Sequence, residues 1–220
     1  MPRPIKSRTV DRRNVVLGAI GAAALAPVAA QGQNKGQDKQ QREPHSSMAD
    51  TMTAEEVRAL LKLEPHATCG FVRLTYVSRQ SIAPGGLPPP FSNGRPLGSA
   101  LYFMVTQDRS VRLHRIRNEQ LYHYYLGDPL EVIMLHADGS SEHVVVGPDL
   151  RAGQQLQLFI PGNTFHTARL VGSGRWFLGA STEWPGVEPA DVETGDLNAM
   201  VVKYPKVAAE LQAFAKTASH

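Results

Sequence analysis

The sequence is poor in cysteine, because Cys69 is the only one among its 220 residues. No disulfide can form within the chain, whatever the redox state of its compartment. The fold must therefore be stabilised by its core, and a composition of 42% hydrophobic and 20% charged residues is ordinary for a globular protein. Free cysteines are usually found in protein interiors, so we expect Cys69 to be a buried, unreactive thiol.

A basic surface is also missing from most of the chain, although the formal net charge is +3. Residues 1–30 alone carry +4, since their five Lys and Arg side chains oppose only Asp11, and the remainder of the chain therefore carries −1. A protein that binds nucleic acid through phosphate contacts needs a basic patch. We therefore expect no nucleic-acid partner and look for a small-molecule ligand instead.

No apolar run is long enough for a stable membrane span, which takes about 20 residues. The longest covers residues 15–26, between a basic stretch ending in Arg12 and Arg13 and the small-residue end at 27–30. This is the pattern of a secretory signal, and its paired arginines resemble a twin-arginine signal, which implies a periplasmic or secreted protein. A basic signal of the general secretory type is the alternative. Translation starting at Met48 would instead leave the protein in the cytoplasm.

The rest of the chain divides into a polar tether, a domain and a tail. Residues 31–50 are almost entirely polar and predict a disordered linker. Thr53 with Glu56 forms a capping-box pattern, and a short helix follows at the start of a domain over residues 51–200. A second helix is predicted at residues 201–216, within a C-terminal segment that covers residues 201–220.

Between these helices the sequence predicts an all-β domain. Short β-branched and aromatic runs alternate with turn residues, as in antiparallel barrels. Nine strands are expected, at residues 71–78, 99–106, 110–115, 120–126, 130–135, 142–146, 155–160, 167–171 and 175–181. Asp138 and Gly139 predict a tight hairpin, and the Pro- and Gly-rich residues 82–97 predict a long loop. So dense a meander favours a jelly-roll barrel.

Two segments resemble the cupin motifs, which carry metal-binding side chains on neighbouring strands. The first begins at His114 and continues through Glu119, with Ile116 where a second histidine usually stands; the second runs from Pro161 to His166. Strand alternation puts Glu119 and His123 on one face, so both can point into one cavity.

Two or three histidines with one carboxylate suit a divalent Mn, Fe, Ni or Zn ion. The candidate ligands are therefore His114, Glu119, His123 and His166. The alternative is a barrel without metal or other cofactor, in which these side chains are satisfied by hydrogen bonds.

Several segments together resemble one family of small cupins. They are residues 61–66, 70–76, 101–103, 114–119, 122–130 and 161–162, and they are similar to the uncharacterised cupins of type 5. The resemblance implies a cupin double-stranded β-helix with short terminal helices, a homodimer, and structural kinship with dTDP-4-dehydrorhamnose 3,5-epimerases. It also implies a cavity lined by Arg73, Thr75, His114, Glu119, His123, Gln157 and His166. The alternative for Arg73 is a surface charge on an outer face.

Three classes of function follow from the resemblance. In the first, the cavity binds a small polar ligand such as a sugar, and His114 and Glu119 catalyse metal-assisted or acid/base chemistry. In an epimerase-like version, His114 removes a proton and Tyr102 or Tyr124 returns one. In the second, the chain is a non-catalytic periplasmic carrier or sensor; in the third, the cavity is inert and the dimer is structural. An export signal disfavours the epimerase, because nucleotide-sugars are cytoplasmic. Fold alone does not separate the first two.

Overall fold

The computed structural model describes residues 51–217. The predicted signal at residues 1–30 and the linker at 31–50 lie outside the described residues. Helix α1 spans Ala54–Leu61 and begins with the predicted capping box, in which Thr53 and Glu56 bond each other's backbone N–H groups. It ends at Leu61, where Lys62 adopts the left-handed conformation. Within residues 51–217, none of the helices is both long and apolar enough to cross a membrane.

Most of the remaining described chain is β-structure. The strands are β1 (Glu64–Pro65), β2 (Phe71–Val77), β3 (Ser81–Ile82), β4 (Arg95–Pro96), β5 (Ser99–Thr106), β6 (Val111–Ile116), β7 (Glu119–Gly127), β8 (Leu130–Leu135), β9 (Ser141–Val146), β10 (Gln157–Ile160), β11 (Phe165–Leu170), β12 (Trp176–Trp184) and β13 (Val192–Thr194). All nine predicted strands are present. The short strands β1, β3, β4 and β13 were not predicted, because segments of two or three residues carry no readable periodicity.

Two large antiparallel sheets face each other across a common core. One has six strands in the order β1-β2-β5-β12-β7-β10, and the other has five in the order β13-β6-β11-β8-β9. Strands adjacent in a sheet are mostly distant in sequence, as β5, β12 and β7 show. This arrangement is the predicted jelly-roll barrel. Asp138 and Gly139 form the tight turn between β8 and β9, and Gly139 has a φ of 87°.

Large apolar side chains form a core between the two sheets. It includes Phe103, Leu130, Val132, Ile160 and Phe177, all essentially inaccessible to solvent. A second cluster forms where α1 packs on the outside of the six-stranded sheet against Trp176.

The C-terminal segment differs from the single helix that the sequence predicted. It forms two helices, α2 (Leu197–Lys203) and α3 (Ala208–Thr217), separated by a short 3₁₀ turn at Pro205–Val207. Pro205 lacks the N–H that a continuous helix needs, and it therefore interrupts the helical run. Leu211 and Phe214 pack against Ile133 and Leu135 of the five-stranded sheet and so cover that sheet's outer face.

Candidate functional site

The space between the two sheets is a cavity of about 380 Å³ that opens at one end of the barrel. Both sheets and two connecting segments contribute to its wall, which is mostly apolar. The lining residues are His66, Ala67, Thr68, Cys69, Leu74, Leu101, Phe103, His114, Ile116, Gln120, Tyr122, Ser181, Glu183, Val187, Glu188, Pro189 and Val192. A few polar groups thus converge on an apolar space, as in small-molecule sites.

One connecting segment, residues 66–69, reaches the cavity because of its position between the sheets. Cys69 makes an isolated β-bridge with Val111, and the backbone N–H of Arg112 donates to the carbonyl of Thr68 at 2.8 Å. Gly70 then turns the chain into β2 with a φ of 63°, and any side chain there would collide with the Met104 carbonyl. The turn is therefore restricted to glycine, and it holds the Cys69 thiol at the cavity wall.

The second connecting segment, residues 185–192, lies across the cavity mouth and is called the strap below. A buried ion pair fixes it: the guanidinium of Arg95 lies 3.2 Å from Asp191 and 3.2 Å from Glu188. The side-chain amide of Asn118 donates to the Pro185 carbonyl at 2.7 Å. The strap is thus tied both to β4 and to the turn before β7.

His114 on β6 presents one ring nitrogen, Nε2, to the cavity. Its Nδ1 lies 2.7 Å from the Arg112 carbonyl and must donate to it, which leaves Nε2 as an acceptor. Nε2 faces the thiol of Cys69 at 3.9 Å. Burial lowers the pKa of His114 to about 4, an effect that the bond to the Arg112 carbonyl only partly opposes. The imidazole is therefore neutral at neutral pH.

His166 lies behind His114, and their ring centroids are 4.4 Å apart. Its Nδ1 is 3.2 Å from the Thr164 carbonyl, and the Tyr122 hydroxyl donates to its Nε2 at 3.0 Å. Burial, with His114 nearby, holds the pKa of His166 well below the usual value. Burial also raises the pKa of Tyr122 well above its usual value. His166 is thus a neutral, fully bonded support behind the cavity wall.

Cys69 is not an activated nucleophile in this setting. Burial raises the pKa of its thiol to about 11, and the bond with Thr68 opposes this effect only partly. A reactive thiolate paired with a charged imidazole requires a lowered thiol pKa and a raised histidine pKa. The Cys69–His114 contact is therefore a weak bond between a neutral thiol and a neutral imidazole, consistent with the predicted unreactive cysteine.

Glu183 is a cavity residue that the sequence reasoning missed. Its side chain is 2% exposed, and the Ser99 hydroxyl donates to its Oε2 at 2.7 Å. Burial raises the pKa of this carboxyl. The predicted ninth strand ended at residue 181, whereas β12 continues to Trp184, so alternation was not followed as far as Glu183. The alternation Ser181–Glu183 was the signal that could have identified it.

Two of the four predicted metal ligands lie outside the barrel. Glu119 and His123 do share one face of β7, as alternation predicted, but that face is the outer one; the inner face carries Gln120 and Tyr122. His123 is satisfied there, because its Nε2 and Nδ1 lie 3.0 Å from the Thr182 hydroxyl and the Gln157 amide. The prediction that Glu119 and His123 point into the cavity with His114 is wrong, because periodicity identifies a face but not its direction.

Three residues assigned to the cavity by resemblance also lie on the outer face of the six-stranded sheet. Strand register places Arg73 and Gln157 in the same cross-strand row as His123, and the Arg73 guanidinium lies 5.5 Å from the Tyr102 ring centroid. Thr75 donates to the Ala100 carbonyl at 2.9 Å within a bulge of β2. Of the seven residues in that assignment, only His114 lines the cavity, and His166 supports it from behind.

The two tyrosines considered as proton donors are also away from the cavity lining. Tyr102 is on the outer face beside Arg73. Tyr124 packs on the inter-sheet core, and its hydroxyl donates to the Gly127 carbonyl at 2.8 Å. Tyr122 is the tyrosine that reaches the cavity. An epimerase-like proton return by Tyr102 or Tyr124 is therefore not supported by their positions.

The residues present do not fit the divalent metal that the cupin motifs suggest. Only His114 and His166 of the proposed ligand set lie inside the barrel, and Nε2 of His166 already accepts from Tyr122. Among residues 51–217, no group of three or more His, Cys, Asp or Glu side chains is placed to hold a metal ion. We therefore derive no chemistry through a metal at this site.

Comparison with known proteins agrees with this fold. A hypothetical protein from Leishmania major superposes with a TM-score of 0.67 at 22% identity, covering 74% of this chain and 98% of that one. A protein from Shewanella oneidensis gives a TM-score of 0.64 at 24% identity, covering 74% and 97%. At this level of identity the likeness shows the fold alone. No curated protein matches the chain.

A family-level comparison is more specific, because it covers most of the domain. The sequence profile of the family described as Cupin superfamily (DUF985) matches residues 55–195. That range begins in α1, includes the cavity-lining strands and ends after β13. The chain is therefore a member of the cupin superfamily, in the family DUF985.

Proposed function

We propose that the chain binds a small organic molecule in the barrel cavity, without a metal. The observation that carries this proposal is the cavity of about 380 Å³ with apolar walls and a few polar groups from His114, Gln120, Tyr122 and Glu183. Small-molecule sites typically have volumes of about 300–1,000 Å³ and the same mixture of surfaces. In the compartment expected from the predicted signal, such a protein acts as a carrier or sensor.

Binding is favoured over proton abstraction because of the state of His114. A general base works best when its pKa lies near the operating pH. With a pKa of about 4, His114 is a neutral hydrogen-bond acceptor and a weak base. This chemistry fits recognition of a donor group on the ligand better than removal of a proton from carbon.

Acid/base catalysis is the second candidate function, and one observation supports it. Nε2 of His114 is directed at the Cys69 thiol in the cavity wall, and the bond from Nδ1 to the Arg112 carbonyl fixes the ring orientation. A bound ligand with a negative charge beside the imidazole would raise the pKa of His114 toward neutrality. In this case, His114→Gln abolishes turnover of a bound ligand while leaving its affinity within about threefold.

The proposal is tested by blocking the mouth of the cavity. Val192 lines the cavity at its exposed rim, so Val192→Trp adds bulk there with little effect on the core. Binding of benzyl alcohol, cyclohexanol and glucose to the full chain is measured by titration calorimetry. We expect at least one of the three to bind the unmodified protein and to lose at least tenfold in affinity in Val192→Trp.

The matched control makes the same substitution far from the cavity. Val202 is 79% exposed on α2 and does not line the cavity, so Val202→Trp should bind like the unmodified protein. Equal losses in both variants would show that binding is to the surface. Absence of binding by all three probes at millimolar concentration would contradict the proposal.

A further inference from the structure

The cavity contains a buried carboxyl group that has no counter-charge. Glu183 is 2% exposed and, in the part of the chain that the structure describes, takes part in no ion pair. Its hydrogen-bond partners are the neutral hydroxyls of Ser99 and Ser181. Burying an ionised carboxylate is costly unless a cation lies beside it. Glu183 thus faces the cavity in a state that a positively charged partner would stabilise.

No side chain in the cavity wall supplies that positive charge. Of the residues 51–217 that line the cavity, none is Lys or Arg. The titratable groups of the wall besides Glu183 are His66, Cys69, His114, Tyr122 and Glu188. Burial disfavours the charged form of the first four.

The guanidinium of Arg95, which anchors the strap at the mouth, is already paired. Arg95 bonds both Glu188 and Asp191 of the strap, at 3.2 Å each. Asp191 is also 4.0 Å from Arg117, so the two arginines on this side face acidic partners. Neither lines the cavity. An anionic ligand that enters the mouth would therefore find no positively charged side chain in the cavity wall.

Two polar groups of the wall, Nε2 of His114 and the Glu183 carboxylate, are hydrogen-bond acceptors. Nε2 of His114 can only accept, because its Nδ1 donates to the Arg112 carbonyl. The Glu183 carboxylate accepts as well, and Leu74, Leu101, Phe103 and Ile116 supply the apolar wall around them. A ligand that matches this surface has an apolar body and a positively charged donor group.

We propose that the cavity binds small apolar amines, and that the Glu183 carboxylate is the counter-ion of the ligand's ammonium group. The ammonium donates to Glu183, and the apolar body lies against the leucine, phenylalanine and isoleucine side chains of the wall. This inference rests on the proposed function, since it names the ligand class of the same cavity. A carboxylate of the same size is excluded, because it would place a second negative charge near Glu183 with no cation available.

The test uses three probes that share a benzyl or phenyl group but differ in charge: benzylamine, benzyl alcohol and benzoate. Each is titrated calorimetrically into the full chain at neutral pH, where the amine is protonated. We expect benzylamine to bind about tenfold more tightly than benzyl alcohol, because a charge-assisted hydrogen bond is about twice as strong as a neutral one. Benzoate should show no measurable binding.

Two matched variants assign the difference to Glu183. In Glu183→Gln the advantage of benzylamine over benzyl alcohol should disappear while benzyl alcohol binds as before. Glu119→Gln removes a carboxylate from the outer face of the neighbouring strand β7, so it should keep the full advantage. Circular dichroism and the unfolding midpoint show whether each variant is folded, and binding of benzyl alcohol itself reports an intact cavity.

The outcomes separate this inference from the proposed function. If benzyl alcohol binds and is blocked by Val192→Trp, but benzylamine is no tighter or keeps its advantage in Glu183→Gln, the cavity binds ligands and the counter-ion inference fails. Tighter binding of benzoate than of benzylamine would overturn it equally. If no probe shows binding that is sensitive to Val192→Trp, the proposed function itself fails.

Discussion

The hydroxyl of Tyr122 donates to Nε2 of His166 across 3.0 Å, and both side chains are almost completely shielded from water. They belong to different sheets, Tyr122 to β7 and His166 to β11. The bond therefore joins the two layers of the barrel directly behind His114, and it fixes the position of the cavity wall.

Removing this hydroxyl should destabilise the protein. Tyr122→Phe leaves Nε2 of His166 buried without a donor, which costs about 1–3 kcal/mol. We expect the free energy of unfolding, measured by urea denaturation, to fall by this amount. Tyr125→Phe is the control, since Tyr125 is exposed on the outer face, and its stability should change by less than about 0.5 kcal/mol. Equal losses of unfolding free energy in the two variants would show that the Tyr122–His166 hydrogen bond does not stabilise the fold.

The buried histidines should make stability depend on pH. The pKa values of His114 and His166 are lowered in the folded protein, so the unfolded chain binds more protons than the native one below the ordinary pKa of 6.5. Stability is therefore full above pH 6.5 and falls as the pH drops toward about 4. For His114 alone the loss is on the order of 3 kcal/mol. Glu183, whose pKa is raised above the ordinary 4.5, acts in the opposite direction within the same window, because above pH 4.5 the folded protein holds the proton of this carboxyl more tightly than the unfolded chain does.

The measurement is the free energy of unfolding at several pH values across this window. In His114→Gln the decline between pH 6.5 and about 4 should be clearly shallower than in the unmodified protein. His123→Gln is the matched control on the outer face, where the pKa is also lowered but the side chain is only half-buried. An unchanged slope in His114→Gln would mean that this histidine is not the source of the acid sensitivity.

The ion pair that anchors the strap should be far more important than a similar pair on the surface. Arg95→Met leaves the buried Asp191 carboxylate with the 4.0 Å contact to Arg117 and the Glu188 backbone N–H as its partners. Loss of one charged partner of a buried pair costs about 3–5 kcal/mol. Arg115→Met breaks an exposed pair with Glu193 and should cost less than about 1 kcal/mol. Urea denaturation of both variants measures the difference, and similar values would argue against a structural role for the strap anchor.

Measuring the metal content of the protein tests directly whether the cavity residues bind a divalent ion. Because Glu119 and His123 lie outside the barrel, we expect no stoichiometric Mn, Fe, Ni or Zn in protein purified without chelator or affinity nickel. Elemental analysis of the unmodified protein and of His166→Ala should give the same background. Near-stoichiometric metal that is lost in His166→Ala would show that the cavity rearranges to bind an ion and would contradict the metal-free proposal.

The thiol of Cys69 should be slow to react in the native protein. With a pKa of about 11, roughly 0.1% of it is thiolate at pH 8. Alkylation by iodoacetamide, followed by mass spectrometry, should be at least tenfold slower in buffer than in urea, where the thiol has an ordinary pKa. A native rate equal to the unfolded rate would show that the segment 66–69 does not hold Cys69 against the cavity.

Local patterns were sufficient to predict the barrel. The nine main strands, the capping box at Thr53 and the turn at Gly139 depend on residues close in sequence, and the structure confirms them. His114 and His166 were also brought together as expected, as paired residues of neighbouring strands β6 and β11. Strand alternation and turn residues are local signals, so the sequence alone was enough for these predictions.

The residues that line the cavity could not be predicted from strand alternation alone. The pattern of β7 separates Glu119 and His123 from Gln120 and Tyr122, but which set faces inward depends on the side on which the five-stranded sheet packs. Both faces of β7 carry polar and aromatic residues, so the sequence offers no hydrophobic contrast to orient the strand. Glu183 was missed for a related reason, since its neighbour Trp184 is exposed and the strand's end was placed too early.

Because the strap is anchored by its own ion pair and hydrogen bonds, the sequence of the cavity mouth can change independently of the sequence of the cavity interior. Val187, Pro189 and Val192 contribute to its mouth, whereas His114 and Tyr122 belong to strands that also carry the inter-sheet core. Substitutions in the strap that keep Arg95 and Asp191 can alter the entrance without disturbing the barrel's packing. Relatives with the same interior can thus diverge in the size of molecule they admit, and redesign for a new ligand should begin at residues 185–192.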